Sequence, residues 1–286
     1  MFPQYVLGPF LILTLLSRPR SAGEILAGLA SALLLAGTGF LAGSADLGQG
    51  LVLAGAAGSA LSFGVLSTTP RWSVLTRGVL AVLVTVFALA LWSAFRGIAW
   101  AHLEAAFAAA LTREWETVRA LSADPELQAR FREMLVERAP FFARVLPGFL
   151  ALVGLAGMGL AALWHHRIAR HPAGRPPGRF RDLRFNDHLI WGAIFTLALT
   201  LAPLPPDGRT LAANLLLFWA GLYAARGLAV LAAVLASAPG LFKLLVVILA
   251  VVVGPIALGA CLAIGLADTW LDIRRRLVPP AAEGVS

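Results

Sequence analysis

Long apolar stretches, separated by short polar connections, make up most of the chain. A helix needs roughly 17 to 25 apolar residues to cross the hydrocarbon core of a bilayer, and its backbone groups must be satisfied within the helix itself. The short alternating strands of a membrane barrel do not occur in the sequence. The pattern therefore predicts an all-α fold, a polytopic integral membrane helix bundle of about eight transmembrane helices. The stretches are Met1–Ser17, Ile25–Ser44, Leu47–Pro70, Gly78–Phe95, Val145–Trp164, Leu189–Pro206, Thr210–Ala238 and Leu244–Ala267.

One of these stretches, Thr210–Ala238, carries a charge, Arg226, inside its apolar sequence. Gly227 and the Pro239-Gly240 pair are residues at which a helix readily bends or ends. The sequence therefore predicts that the transmembrane helix is interrupted in this segment.

The longest polar connection, Gly97–Ala139, has the pattern of two amphipathic helices. In its first half, apolar residues recur every three or four positions, which places them on one face of a helix. Asp124-Pro125 is typical of a helix cap followed by proline at the first helical position. We expect an amphipathic helical hairpin that lies on the membrane surface or caps the bundle, with binding of a protein partner as the alternative role. The apolar face comprises Leu103, Phe107, Leu111, Trp115 and Val118.

The connection His165–Asp187 is basic, with six arginines against two aspartates, whereas Gly97–Ala139 has seven acidic residues and five arginines. Cytoplasmic loops carry an excess of Lys and Arg. The basic loop is therefore predicted to be cytoplasmic, as are Arg18/Arg20 and Arg71/Arg77, and the hairpin extracytoplasmic. Three further spans after the basic loop would leave the C-terminal arginines outside, against the same rule. Either the rule fails at the C-terminus, or Thr210–Ala238 does not make a single crossing.

These patterns divide the chain into five segments. They are an N-terminal apolar segment (1–21), transmembrane helices (22–96), the hairpin (97–139), transmembrane helices that include the basic loop (140–268, loop 165–187) and a basic C-terminal tail (269–286).

The composition excludes an ordinary soluble domain. Charged residues make up 13% of the chain, against about 25% in soluble globular domains, so lipid must cover much of the surface. The formal net charge is +8, but the arginines lie between apolar runs, so we expect anionic lipid head groups rather than nucleic acid as their partners. Cys261 is the single cysteine and cannot form an internal disulfide.

The sequence contains none of the common catalytic or nucleotide-binding motifs, and we expect neither an enzyme nor a cofactor. His165, His166 and His171 do not predict a metal site, because adjacent histidines of a helix point to different sides and no cysteine or glutamate joins them.

Arg226 is the most informative charge, since an arginine within an apolar segment costs a few kcal/mol or more. Asp268 lies at the end of the last apolar run, where the helix dipole disfavours a carboxylate. We expect the two to pair inside the bundle and, with Asn214 and Trp219, to form a ligand-binding set. The alternative is that Arg226 extends to the membrane interface.

The run "DIRRR" follows Asp268. Cations at the end of a helix complement its dipole and attract anionic lipid head groups, and tryptophan is enriched at membrane interfaces. We therefore expect Trp270, Arg274, Arg275 and Arg276 to lie at the interface and to contact lipid.

Three stretches resemble the YybS-like family of uncharacterised bacterial membrane proteins: "GLASALLLAG" (28–37), "GRPPGRFRDLRF" (174–185) and "GLADTWLDIRRRL" (265–277). That family is grouped with the S components of energy-coupling-factor transporters and with MreD. The resemblance implies a bacterial inner-membrane protein with a compact core of about six helices and a membrane-embedded ligand pocket.

Two functions are consistent with these observations. The first is S-component-like binding or transport of a small solute. The second is a structural or scaffold subunit that recruits protein partners through residues 97–139 or the basic loop. A buried polar cluster open to one side favours the first function, and a solid bundle with an exposed apolar groove favours the second.

Overall fold

The protein is helical throughout the part of the chain that can be described. The computed structural model describes residues 3–18, 21–41, 47–69, 71–120 and 125–277, apart from the side chains at 37–41, 111, 113–115, 117–120, 125, 127, 131–132, 134–136, 275 and 277. Every regular element within these ranges is a helix, which confirms the predicted all-α class. The α-helices are α1 (Gln4–Leu16), α2 (Ala22–Leu41), α3 (Leu47–Ser67), α4 (Val74–Phe95), α5 (Trp100–Ala120), α6 (Pro125–Ile168), α7 (Ile190–Leu201), α8 (Pro206–Val234), α9 (Gly240–Val252), α10 (Gly254–Leu271) and α11 (Ile273–Leu277), with short 3-10 turns at Phe180–Asp182, Asp187–Leu189 and Leu235–Ser237.

Several of these helices match the requirements for crossing a bilayer. Five of those described are long and apolar enough to cross, by length and composition, which confirms a polytopic membrane helix bundle. Four apolar helices are shorter, among them α1 and α7, where the sequence predicts full-length spans. The five are Leu47–Ser67, Val74–Phe95, Glu137–Ile168, Pro206–Ser237 and Gly254–Leu271.

The predicted interruption of Thr210–Ala238 is wrong. Helix α8 runs without a break from Pro206 to Val234. The break lies instead in the last apolar run, between α9 and α10 at Val253. Pro255 follows in the first turn of α10, where proline is tolerated because its missing N–H would have no helical partner, whereas it cannot continue α9. Four helices rather than three therefore follow the basic loop before the C-terminal arginines.

The chain divides into two compact units, Met1–Pro177 and Gly178–Ser286, here called unit 1 and unit 2. Unit 1 contains α1 to α6, and unit 2 contains α7 to α11. The division falls within the basic loop, so the loop contributes residues to both units.

The core of unit 1 joins α1 to α3, α5 and α6. Helix α1 packs on α3 and α6, and the Tyr5 hydroxyl donates to the Val52 carbonyl at 3.3 Å. Leu103 and Phe107 of α5 are buried in the same core, which confirms the predicted apolar face for its first half. The side chains of Leu111, Trp115 and Val118 lie outside the described residues. Helix α6 begins at Pro125, as predicted, but continues past residue 139 to Ile168 as one helix.

One end of unit 1 gathers several connections. The Arg170 N–H donates to Glu24 Oε1 at 2.6 Å, and Arg77 Nη2 donates to the Arg175 carbonyl at 2.9 Å. A side chain at Gly174, where φ is +78°, would meet the Ser67 carbonyl oxygen. The start of α2, the end of α3, the start of α4 and the end of α6 thus lie together. The arginines of these connections predict the same grouping, because they place all of them on one side of the membrane.

Two histidine side chains fix the first part of the basic loop to this end of unit 1. His165 Nε2 accepts from the Ala173 N–H at 3.1 Å, and His166 Nε2 lies 3.4 Å from the Gly174 carbonyl oxygen. His165 is 1% exposed. These two histidines therefore hold the backbone of the loop, rather than standing in solvent as members of a solvated basic segment.

Glu24→Gln is expected to lower the free energy of unfolding by about 1–3 kcal/mol, because one of two buried acceptor oxygens is replaced by an amide group that cannot accept a hydrogen bond. The Glu24 carboxylate accepts a hydrogen bond from the Ser21 backbone N–H at 2.9 Å, and the Glu24 backbone N–H donates to the Ser21 hydroxyl at 3.2 Å. These two bonds form a capping box at the start of α2. The other carboxylate oxygen holds Arg170. Thermal unfolding in detergent, with the exposed Glu137→Gln as the matched control, tests this expectation. Equal midpoints for the two variants would contradict it.

Candidate functional site

The candidate site lies in unit 2, where α8 and α10 cross. A side chain at Gly227 would collide with the Cys261 carbonyl oxygen, and one at Gly265 would collide with the Tyr223 carbonyl oxygen. The chain direction from Tyr223 to Gly227 is opposed to that from Cys261 to Gly265, so the helices are antiparallel. Glycine permits this close backbone approach, which is common between helices packed in lipid. The crossing brings Arg226, next to Gly227, close to Asp268, one turn after Gly265.

The Arg226 guanidinium is buried and bonded on three sides. Its Nε donates to Asp268 Oδ2 at 3.0 Å and its Nη2 to the Asp268 carbonyl at 3.2 Å. Its Nη1 donates to Asp187 Oδ1 at 2.8 Å, and its Cζ lies 5.3 Å from the centre of the Phe185 ring. The predicted pairing of Arg226 with Asp268 is confirmed, and the alternative that Arg226 extends to the interface is wrong.

Asp268 is shared by two arginines. It is 1% exposed, and its Oδ2 also accepts from Arg274 Nη2 at 2.9 Å. Arg274 donates in addition to the carbonyls of Arg181 at 3.0 Å and Leu183 at 3.1 Å. Burying three charges in one place is tolerated because each is paired and hydrogen-bonded.

The predicted contact of Arg274 with lipid is therefore wrong. The residue is 8% exposed and points back to Asp268. The physical reason is the backbone at Asp272, which has φ of 42°, ends α10 and starts α11 in a new direction. Trp270 and Arg276 are exposed, and their contact with lipid stays a prediction, while the Arg275 side chain lies outside the described residues.

The other two predicted ligand residues lie apart from the pair. Asn214 is buried and donates to the Thr210 carbonyl at 2.9 Å, about 18 Å before Arg226 along α8. The Trp219 ring packs against Gly192 of α7 and fills the space that a side chain at position 192 would need. The structure thus joins Arg226 and Asp268 but does not bring Asn214 or Trp219 to them.

Several residues of the cluster were not predicted. Asp187 and Phe185 come from the basic loop, and Tyr223 is a neighbour of Phe185, with ring centres 5.2 Å apart. Arg184 forms an ion pair with Asp272. The alternation of charged and aromatic residues in "RFRDLRFND" is the sequence signal that accompanies these contacts. From the sequence alone, the arginines of this stretch are expected to contact lipid head groups.

Arg226, Arg274, Asp268 and Asp187 carry two positive and two negative charges, so the cluster is formally neutral. Three of its side-chain atoms are buried without a hydrogen-bond partner among the described residues: Asp268 Oδ1, Tyr223 Oη and Arg274 Nε. Unsatisfied buried polar atoms are rare and call for a bound water, an ion or a functional role. The cluster reaches the surface at Asp187, whose side chain is 62% exposed against 4% for Arg226.

Comparison with known proteins gives one family. The family model described as "Predicted membrane protein (DUF2232)" matches residues 5–269. No curated protein and no solved structure matches the chain.

Proposed function

This chain belongs to the DUF2232 family of predicted membrane proteins, and on that premise we propose that it binds a small solute in the bacterial cytoplasmic membrane and moves it or delivers it to a transporter. The family agrees with the YybS-like resemblance of residues 28–37, 174–185 and 265–277. The likeness to S components is part of the proposal. No catalytic role is included, and because the sequence has no ATP-binding motif, uphill movement would need a separate ATPase or an ion gradient.

The observation that carries this proposal is the buried charge cluster of unit 2, which reaches the surface at Asp187. Buried charges within apolar helices are costly, and in membrane proteins they usually mark a path or site for a polar ligand. A pair with only a packing role needs no unsatisfied atoms, yet Asp268 Oδ1 and Tyr223 Oη are buried without partners in the described part of the chain. A polar solute that enters beside Asp187 would meet these atoms.

The proposed orientation places the basic loop in the cytoplasm, because positively charged connections stay on that side. In unit 1 the loop shares one end with Arg77 and the start of α2. In unit 2 the buried Arg274 bonds to carbonyls of the loop, so Arg274 lies beside it. Of the four helices between the loop and Arg274, α8 and α10 are long and apolar enough to cross a membrane, and two crossings would return the chain to the side of the loop.

Native mass spectrometry of the purified protein tests the proposal. The expected result is a small-molecule adduct that is released on unfolding and is absent from Arg226→Gln. The matched control is Arg209→Gln, an exposed arginine on the same helix, which should keep the adduct. A protein without an adduct, or one whose adduct survives Arg226→Gln, would contradict solute binding at this cluster.

The scaffold function rests on a different observation. The described charged residues of the hairpin other than Glu104, among them Glu116, Glu126, Glu133 and Arg138, are exposed, while Leu103 and Phe107 anchor its first helix in the core. A fixed helical projection with a charged surface suits a protein partner. Recovery of a stable protein partner, in place of a small molecule, in the same mass spectra would favour this function.

A further inference from the structure

The two carboxylates that hold Arg226 differ in how firmly they are placed. Asp268 is buried on α10 and is also held by Arg274. Asp187 belongs to a short 3-10 turn, Asp187–Leu189, and its side chain is mostly exposed. Arg226 Nη1 has Asp187 as its partner, whereas Nε and Nη2 both point to Asp268. One nitrogen of a buried guanidinium is thus held by a carboxylate that water can reach.

Charge balance favours replacement of Asp187 over its simple loss. Without the Asp187 carboxylate, the cluster would hold Arg226 and Arg274 against Asp268 alone. A buried charge left without its partner is strongly unfavourable. Another oxyanion at the same nitrogen would restore neutrality, and the exposed Asp187 side chain can leave Arg226 for water without becoming a buried charge itself.

A second donor lies on the same side of α8. Tyr223 precedes Arg226 by three positions, so the two side chains share one helix face. The Tyr223 hydroxyl is buried without a partner among the described residues. Its ring contacts Phe185, which in turn lies under the guanidinium. An oxyanion at Nη1 therefore has a hydroxyl donor and an aromatic wall beside it.

We propose that Asp187 is a built-in counter-ion, and that the carboxylate or phosphate group of a small solute displaces it from Arg226 Nη1 and accepts a hydrogen bond from Tyr223. The inference rests on the proposed solute-binding function and names its ligand class, an oxyanion. Exchange frees only the Asp187 side chain, because Phe185 of the same segment keeps its contact with Tyr223.

The test uses Asp187→Ala in the full-length protein, purified in phosphatidylcholine nanodiscs. Asp182→Ala is the matched control, because Asp182 is an exposed aspartate of the same loop and is not a partner of Arg226 in the described part of the chain. Unfolding midpoints are measured in sodium chloride and after replacement by sodium acetate or sodium phosphate at constant ionic strength. We expect acetate or phosphate to raise the midpoint of Asp187→Ala by about 2–4 °C. The control should shift less, and Asp187→Ala/Arg226→Gln should lose the response.

A lipid head group could supply the same phosphate chemistry, so a parallel set uses phosphatidylglycerol nanodiscs without added anion. Stabilisation of Asp187→Ala by phosphatidylglycerol, and by neither free anion, would overturn the assignment to a solute. An anion response equal to that of Asp182→Ala would overturn the exchange itself, as would an Asp187→Ala protein that is unfolded in chloride and is not restored by either anion. A co-purified solute in native mass spectra, together with such a negative result, would leave solute binding intact and remove only the role of Asp187.

Discussion

Asp268→Asn is expected to lower the free energy of unfolding of the purified protein by about 3–5 kcal/mol, the cost of breaking a buried ion pair from one side. The carboxylate accepts from both Arg226 and Arg274, so its loss leaves two buried guanidiniums without their shared counter-charge. Arg226→Gln should cost less, because Asp268 keeps Arg274 and the other freed partner, Asp187, is largely exposed. The sequence alone predicts the pair of Arg226 and Asp268. The additional bond from Arg274 to Asp268 is the reason to expect a larger loss for Asp268→Asn than for Arg226→Gln.

A double-mutant cycle measures the coupling. Asp268→Asn/Arg226→Gln should recover part of the loss, since neither charge of the pair then remains. The matched control is Asp272→Asn with Arg184→Gln, an ion pair of the same unit whose side chains are 36% and 47% exposed and which should contribute about 0–1 kcal/mol. Additive effects in the cycle, or a control pair with equal coupling, would contradict the assigned role of the buried pair.

Gly227→Ala and Gly265→Ala are expected to lower the free energy of unfolding by about 1–3 kcal/mol or more, as overpacking does. The added carbon would meet a backbone carbonyl, of Cys261 or Tyr223, and not a flexible side chain. The helices must then move apart, which also increases the separation of Arg226 and Asp268. These variants should therefore weaken both the fold and any ligand adduct.

Gly259→Ala is the matched control on α10, because an added carbon there meets nothing within 4 Å. Alanine favours a helix over glycine by roughly 1 kcal/mol, so the control should be neutral or stabilising. Chemical unfolding in detergent, followed by tryptophan fluorescence, measures all three variants. A loss at Gly259→Ala as large as that at Gly227→Ala would show that the crossing does not depend on close backbone contact.

The helical content and membrane character follow from local properties of the chain. A run of apolar residues of sufficient length must form a helix in lipid, because its backbone polar groups find partners nowhere else. The burial of Leu103 and Phe107 likewise follows from helical periodicity. The pairing of Arg226 with Asp268 was predictable because each charge is unfavourable in its own apolar segment, and few residues of opposite sign are available there.

Only the tertiary structure decided the rest. Helix α8 continues through Gly227 because this glycine fits against Cys261 at the crossing with α10 and does not bend the helix. Arg274 turns inward because Asp272 adopts a positive φ and because the carbonyls of Arg181 and Leu183, more than ninety positions earlier, lie within reach. Hydropathy and charge patterns describe each segment by itself. The direction of a side chain and the partners of a buried charge are set by segments that are distant in the chain and meet only after folding.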